Sequence, residues 1–428
     1  MHSKELAIFG GNPIRKQEWS SWPIYNEDTL RVLSEVLKSK RWAISSNYLG
    51  INLFERLFAQ KFAEFCSAKY CIPVDHGSSA LLVSLEALDI GFGDEVIIPA
   101  LTWVATASSV LNVNAIPVLV DVDPLTLCID PNEVEKAITT ATKAIIPVHL
   151  YCNICNMTAL QAISKKYNIS IIEDCSHSHG AEWMGQKVGT FGSLGTFSMQ
   201  QSKLLTSGEG GAIITNDDDL FQKAEQYRAD GRKHSGPPYN LYQTELVTNT
   251  ISHGTNYCLS EFQSAILLNQ LEMLDKQNMI RLKNAIYLDS LILQIPGLKP
   301  LSSHKEVTFR TYYGYIIEID FNFFHNLDII ELCNILVAEL NISVNSIYKP
   351  INKIMNYNPH IKKRFRLSNY YLEKLDLSNK VFPISEEASN TYICFPHKIL
   401  LSDFKDLDDI YYAFIKIQKC YVNKKQQN

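Results

Sequence analysis

Lys203 stands alone in "FSMQQSKLLTSGEGGAIIT" (197–215), between an apolar start and a glycine-rich finish. The spacing is not that of a P-loop, and no helix is expected after the lysine. A surface lysine in a hairpin is one reading. A lysine against apolar walls, which loses its charge easily and attacks carbonyls, is another. Three further stretches offer chemistry. In "VDHGSSALLVSLEAL" (74–88) Gly77 and Ser78, with Ser79, open an amphipathic helix. Free N–H groups there could seat a phosphate, or the serines could simply cap the helix. In "PALTWVATASSV" (99–110) Trp103 follows a strand and could stack on a flat ring or lie in the core. In "IIEDCSHSHG" (171–180) Asp174 ends an apolar strand, where a carboxylate needs a cationic or hydrogen-bonding partner. His177 and His179 follow it. A metal held by Asp174, His177 and His179 is conceivable, but no fourth ligand or second carboxylate stands nearby. Joined, the four stretches match what pyridoxal 5′-phosphate needs. They supply a phosphate seat, a flat aromatic, an acid for the pyridine nitrogen and a lysine for the aldehyde.

These residues must be brought together by the elements around them. Short β-branched runs at 95–99, 116–123, 143–149, 169–174, 195–199 and 211–216 read as strands. Helix-like segments at 102–113, 131–139 and 157–167 separate the first four, and Asp130-Pro131 marks one helix start. This alternation, with near-continuous apolar strands, predicts an α/β fold with a mostly parallel sheet covered on both faces. Ligands of such sheets sit at the carboxyl ends of the strands, where the candidate residues fall. Residues 259–293 keep helical periodicity over many turns and leave the first domain. A strand at 311–320, a helix at 328–340 and a strand and loop at 391–401 then predict a smaller α+β domain. The expected division is 1–258, with an N-terminal arm, and 259–428.

The 428 residues are 46% hydrophobic, enough for a sizeable core. A net charge of −5 argues against a general nucleic-acid binder. No run of about 18 apolar residues suggests a membrane span, and the start has no signal-peptide pattern, so the expectation is a cytoplasmic protein. The 10 cysteines are scattered through apolar stretches. One close pair, Cys152 and Cys155, has no second pair at metal-site spacing and reads as two core or loop thiols. No metal is expected.

The chain resembles the DegT/StrS family of pyridoxal-phosphate aminotransferases over nearly its whole length. The likeness is carried by "RWAIS" (41–45), "LTWVATASSVLNVNAIPV" (101–118), "GSLGTFSMQQSKLLTSGEGG" (192–211) and "GTNYCLSEFQSAILLNQLEML" (254–274). Within the family these stretches look most like the aminotransferases of the cyclitol ketones scyllo-inosose and 2-deoxy-scyllo-inosose. The resemblance implies the fold-type-I architecture, an L-glutamine donor, a cyclic ketone acceptor and a homodimer with shared active sites. It implies that Lys203 holds the cofactor and moves the proton, and that Asp174 pairs with the pyridine nitrogen. By the same token, His177 would lie near the ring's phenolic oxygen and Trp103 would stack on the ring. Gly77, Ser78 and Ser198 would contact the phosphate. Asn256 would reach the phosphate bound by the neighbouring subunit. Two departures stand out. Ser79 replaces a frequent threonine, and "YKPINK" (348–353) lacks the histidine that often follows the Tyr-x-Pro. Arg41, Trp42, Gln200 and Gln201 are candidates for the substrate side. A nucleotide-linked keto-sugar aminotransferase and a 3-amino-5-hydroxybenzoate synthase-like lyase are the rival activities.

Overall fold

The computed structural model describes residues 5–51, 53–248, 252–324 and 327–422. Seven strands form the main sheet: β1 (Tyr70–Val74), β2 (Glu95–Pro99), β3 (Ile116–Val120), β4 (Thr142–Ile145), β5 (Ser170–Asp174), β6 (Leu194–Ser198) and β7 (Gly211–Thr215). Their spatial order is β1-β7-β6-β5-β4-β2-β3. The β3/β2, β2/β4, β4/β5 and β5/β6 pairs are parallel. β7 runs antiparallel to both β6 and β1. The sheet is therefore parallel except for one strand, reached through the loop that carries Lys203.

The apolar runs exist because both faces are buried. Every residue of β2 and β7 is buried. Ile72, Val96, Ile98 and Ile213 join one core cluster, whereas Cys71, Ile97 and Ile214 join the other, the period of two that a pleated strand imposes. Helices α3 (Gly77–Ala87), α4 (Ala105–Asn112) and α7 (Asp218–Tyr227) cover the first face. Helices α2 (Phe54–Cys66), α5 (Pro131–Ala137) and α6 (Met157–Tyr167) cover the second, and α1 (Glu27–Ser39) packs beside α2 on the long helix. Asp130 caps α5 through Asn132 N, with Pro131 at its first turn as expected.

Helix α8 (Glu261–Ile292) starts from a capping box of Ser260 and Gln263. At about 48 Å it is long enough to touch both α1 and α2 at one end and the second half of the chain at the other. That half holds an antiparallel sheet of β8 (Leu298–Pro300), β9 (Gly314–Ile319), β10 (Asn345–Ser346) and β11 (Tyr392–Pro396), in the order β8-β9-β11-β10. Helices α9 (Ile329–Leu340) and, after α10 (Asn369–Leu375) and α11 (Pro383–Thr391), α12 (Phe404–Val422) belong to it.

Contacts cross the expected division at several places. The N-terminal arm, grouped by sequence with the first domain, docks on the second half. The fully buried Glu339 carboxylate accepts from Ala7 N (2.8 Å) and Ile14 N (3.1 Å), and Arg15 pairs with Asp406 and Asp409 at 2.8 Å each. Ile351 returns to the main sheet, donating its N–H to Ala100 O at 2.8 Å. Among the described residues no helix is long and apolar enough to cross a membrane.

Candidate active site

Four strand ends open onto one cavity of about 370 Å³. Val74 leads into Gly77 and Ser78, Pro99 into Trp103, and Asp174 and Ser198 end their strands. Of the expected residues, Gly77, Ser78, Trp103, Asp174, His177, Ser198 and Lys203 all line it. Asn256 does not. It is exposed, bridges to Ala229 and accepts from Cys258 N at 3.1 Å.

The start of α3 is open. His76 precedes it without capping it, so the N–H groups of the first turn lack a side-chain partner. A Cβ on Gly77 would lie 2.6 Å from Ser198 Cβ and 2.9 Å from its Cα, so only glycine lets α3 meet the end of β6 this closely. Gly77→Ala is expected to cost about 1–3 kcal/mol of stability and to weaken binding of a phosphate-bearing ligand there. Thermal unfolding and titration with inorganic phosphate check both effects.

Asp174 is 6% exposed. Its Oδ1 accepts from Ser176 N at 3.1 Å, and its Oδ2 lies 3.5 Å from the Thr106 hydroxyl. Lys203 is half-buried, makes no ion pair among the described residues, and its Nζ lies 4.3 Å from the Tyr313 ring centroid. Burial lowers its pKa to about 8, against which the Asp174 charge works upward. The neutral amine is thereby within reach near physiological pH.

His177 is fixed from two sides. Its Nδ1 accepts from Tyr151 N at 3.1 Å, and its ring stacks on Tyr313 with centroids 3.9 Å apart. Burial, then the charge of Lys203, pushes its pKa well below the ordinary value. With Nδ1 accepting, the neutral ring carries its proton on Nε2. Tyr151 organises this corner from a left-handed backbone, φ 56°. Its carbonyl accepts from Tyr313 N at 3.0 Å and its hydroxyl from Tyr348 N at 2.8 Å. The sequence reading missed Tyr313 and Tyr348, which wall the cavity from the second half of the chain. Trp103 is 56% exposed with a tilted contact to Tyr348, so most of the indole is uncovered.

The substrate-side candidates separate. Gln200 lines this cavity and Gln201 a neighbouring one. Arg41 is buried away from both, paired with Glu245 at 2.7 Å and with Glu261. Trp42 packs on Phe262. Among the described residues, the side chains spaced to hold a metal are His149, Glu173 and Cys175, not Asp174, His177 and His179. That trio is already committed. Glu173 accepts from Gly189, Phe191 and Gly192 N–H groups at 2.7–2.8 Å, and from His149 at 3.2 Å. Cys152 and Cys155 are both buried, and burial is the main force raising each thiol pKa.

A family model described as the DegT/DnrJ/EryC1/StrS aminotransferase family matches residues 23–413. The chain belongs to this family. It is 45% identical to an "L-glutamine:2-deoxy-scyllo-inosose aminotransferase" of Streptomyces kanamyceticus, over 97% of each chain. It is 41% identical to an "L-glutamine:scyllo-inosose aminotransferase" of Streptomyces griseus, over 96% of this chain and 97% of that one. Among solved structures, that of 3-amino-5-hydroxybenzoic acid synthase superposes with a TM-score of 0.79 at 26% identity, covering 96% of this chain and all of the other. The DegT/DnrJ/EryC1/StrS fold, α/β with a mostly parallel central sheet, thus agrees with the architecture expected from the strand pattern.

Proposed function

We propose that this family member is a pyridoxal-phosphate-dependent aminotransferase. It would move the amino group of L-glutamine to a cyclitol ketone, 2-deoxy-scyllo-inosose or scyllo-inosose. The observation that carries the reading is the unpaired Lys203, held near pKa 8, in one cavity with the Asp174 carboxylate and the uncapped start of α3. When bound, pyridoxal phosphate supplies an aldehyde for the amine and a ring that takes up negative charge from the donor's α-carbon.

The chain's residues divide the remaining work. Gly77, Ser78 and Ser198 would hold the phosphate at the positive end of α3. Trp103 offers its uncovered indole face to the ring. Asp174 would keep a proton on the ring nitrogen by charge, and the His177 Nε2–H is free to donate to the ring's oxygen. Lys203 Nζ would hold the cofactor and, once freed as an amine, would carry the proton from the donor's α-carbon to the cofactor's former aldehyde carbon, the second half running the same transfer in reverse onto the acceptor carbon. Asn256, outside its own chain's cavity, suits a role at a partner subunit's phosphate, in a cytoplasmic homodimer.

A purified-enzyme panel decides the acceptor. Glutamine would be offered with 2-deoxy-scyllo-inosose, scyllo-inosose and nucleotide-linked keto-sugars. We expect amino transfer to a free cyclitol and ping-pong kinetics. Transfer to nucleotide-linked sugars alone, or elimination of water without transfer, would sink the cyclitol reading.

A further inference from the structure

Behind the tyrosine wall lies a second cavity of about 450 Å³, which shares Tyr313 and Tyr348 with the first. It is lined by Gln201, Asn345, His397 and Lys398 among others, and among the described residues by no carboxylate. Lys398 is half-buried and makes no ion pair among the described residues. His397 is 3% exposed. Its Nε2 lies 3.1 Å from Ser202 O, and a carbonyl only accepts, so Nε2 carries the proton. Its Nδ1 is then a buried lone pair with no partner among the described residues. Such an acceptor costs stability until a ligand donates to it.

The charge around this ring has one sign. Burial first, then the guanidinium of Arg281, with Lys398 and Lys203 adding, holds His397 neutral. Arg281 is itself buried, lies over the Trp22 ring at 5.1 Å, and its hydrogen-bond partners among the described residues are amide oxygens, Asn278 at 3.1 Å and Gln277 at 3.4 Å. Lys398 lines this cavity and Arg281 stands behind His397, while Lys203 faces Asp174 in the first cavity, so the balance of charge beside the second cavity is positive and favours an anion.

In the proposed reaction the acceptor is a neutral polyol, and only the amino donor brings a carboxylate. We infer that the second cavity is the amino-donor subsite, where Lys398 binds the donor's carboxylate and His397 Nδ1 accepts from its carboxamide N–H. The inference rests on the aminotransferase reading. It also explains a preference for glutamine over glutamate, since a lone pair accepts from –NH₂ but not from a second carboxylate.

The probes are glutaramate, which is glutamine without its α-amino group, and glutaramide, which carries no charge. Calorimetric titration of the holoenzyme reads their binding without turnover. Lys398→Met is expected to weaken glutaramate by about 10- to 100-fold, the worth of a charge-assisted hydrogen bond. Lys398→Arg keeps most of the affinity, and neither variant moves glutaramide or the KM of the ketone. Unchanged glutaramate affinity overturns the proposal, as does an equal loss for both probes. So does a loss confined to a nucleoside diphosphate, which would give the cavity to a nucleotide-linked substrate. If Lys398→Met weakens glutaramate but the wild type aminates no ketone, the aminotransferase reading fails and the carboxylate site stands. If turnover is intact and glutaramate is indifferent to the variant, the subsite alone fails.

Discussion

Lys203→Ala is expected to lower turnover on the order of 10⁴-fold or more while leaving the fold intact. The side chain is asked to do two jobs in sequence, attaching the cofactor and moving the proton. Among the described residues no other amine lines the first cavity to take over either. The loss should not come from unfolding. A desolvated ammonium without an ion-pair partner opposes folding, so alanine removes a cost rather than a support. The sign can be worked out. The folded pKa of about 8 lies below the ordinary 10.5, so between these values the unfolded chain binds more protons. The Lys203 contribution to stability therefore rises with pH from about 8 to 10.5 and is unfavourable below that window. At pH 7 the variant should melt at the same temperature as the wild type or higher. The same shift sets how fast the cofactor is captured. About one in ten Lys203 side chains is neutral at pH 7, against roughly one in three thousand for an ordinary lysine. Capture of pyridoxal phosphate, trapped by borohydride and read as a mass shift on the Lys203 peptide, should rise with pH around a midpoint of about 8. A midpoint near 10 would remove the burial argument.

The parts of this site that could be read from sequence are those on the parallel strands. A strand buried on both faces has to be a near-continuous apolar run, so β2 and β5 announce themselves, and so does a carboxylate at the end of such a run. Strand direction is not written in composition. Nothing in "GAIIT" distinguishes the antiparallel β7 from its neighbours, and only the lack of a helix in the connection from 199 to 210 hints at a hairpin. Tyr313 and Tyr348 left no signal, because their nearness to Lys203 depends on how the second half folds back. Arg41 shows the opposite failure. An arginine before a tryptophan reads as a binding residue, but its neutralising carboxylates lie 204 and 220 residues away. A local reading cannot tell a buried, paired guanidinium from one waiting for a ligand. Arg281, buried and with no ion pair among the described residues, on a helix that reads as plain amphipathic, is the converse.

Asp174→Asn should lower turnover by about 10²- to 10³-fold, the usual effect of losing one preorganised charge in a water-shielded site. The substitution is close to isosteric, and the local hydrogen bonds survive it. One amide oxygen can still accept from Ser176 N. The new –NH₂ can donate to the Thr106 hydroxyl, which in turn can donate to Thr102 at 3.2 Å. Thermal stability should therefore change little, and the loss isolates the charge. A second readout follows from the pair itself. The Asp174 carboxylate raises the Lys203 pKa against the larger effect of burial. Removing that charge must lower it further, so the midpoint for cofactor capture should move below 8 in the variant. A merely structural role for Asp174 would reduce activity and leave that midpoint in place. Loss of turnover together with a downward shift identifies the carboxylate as the group that sets the charge of the site, acting both on the cofactor nitrogen and on the lysine that serves it.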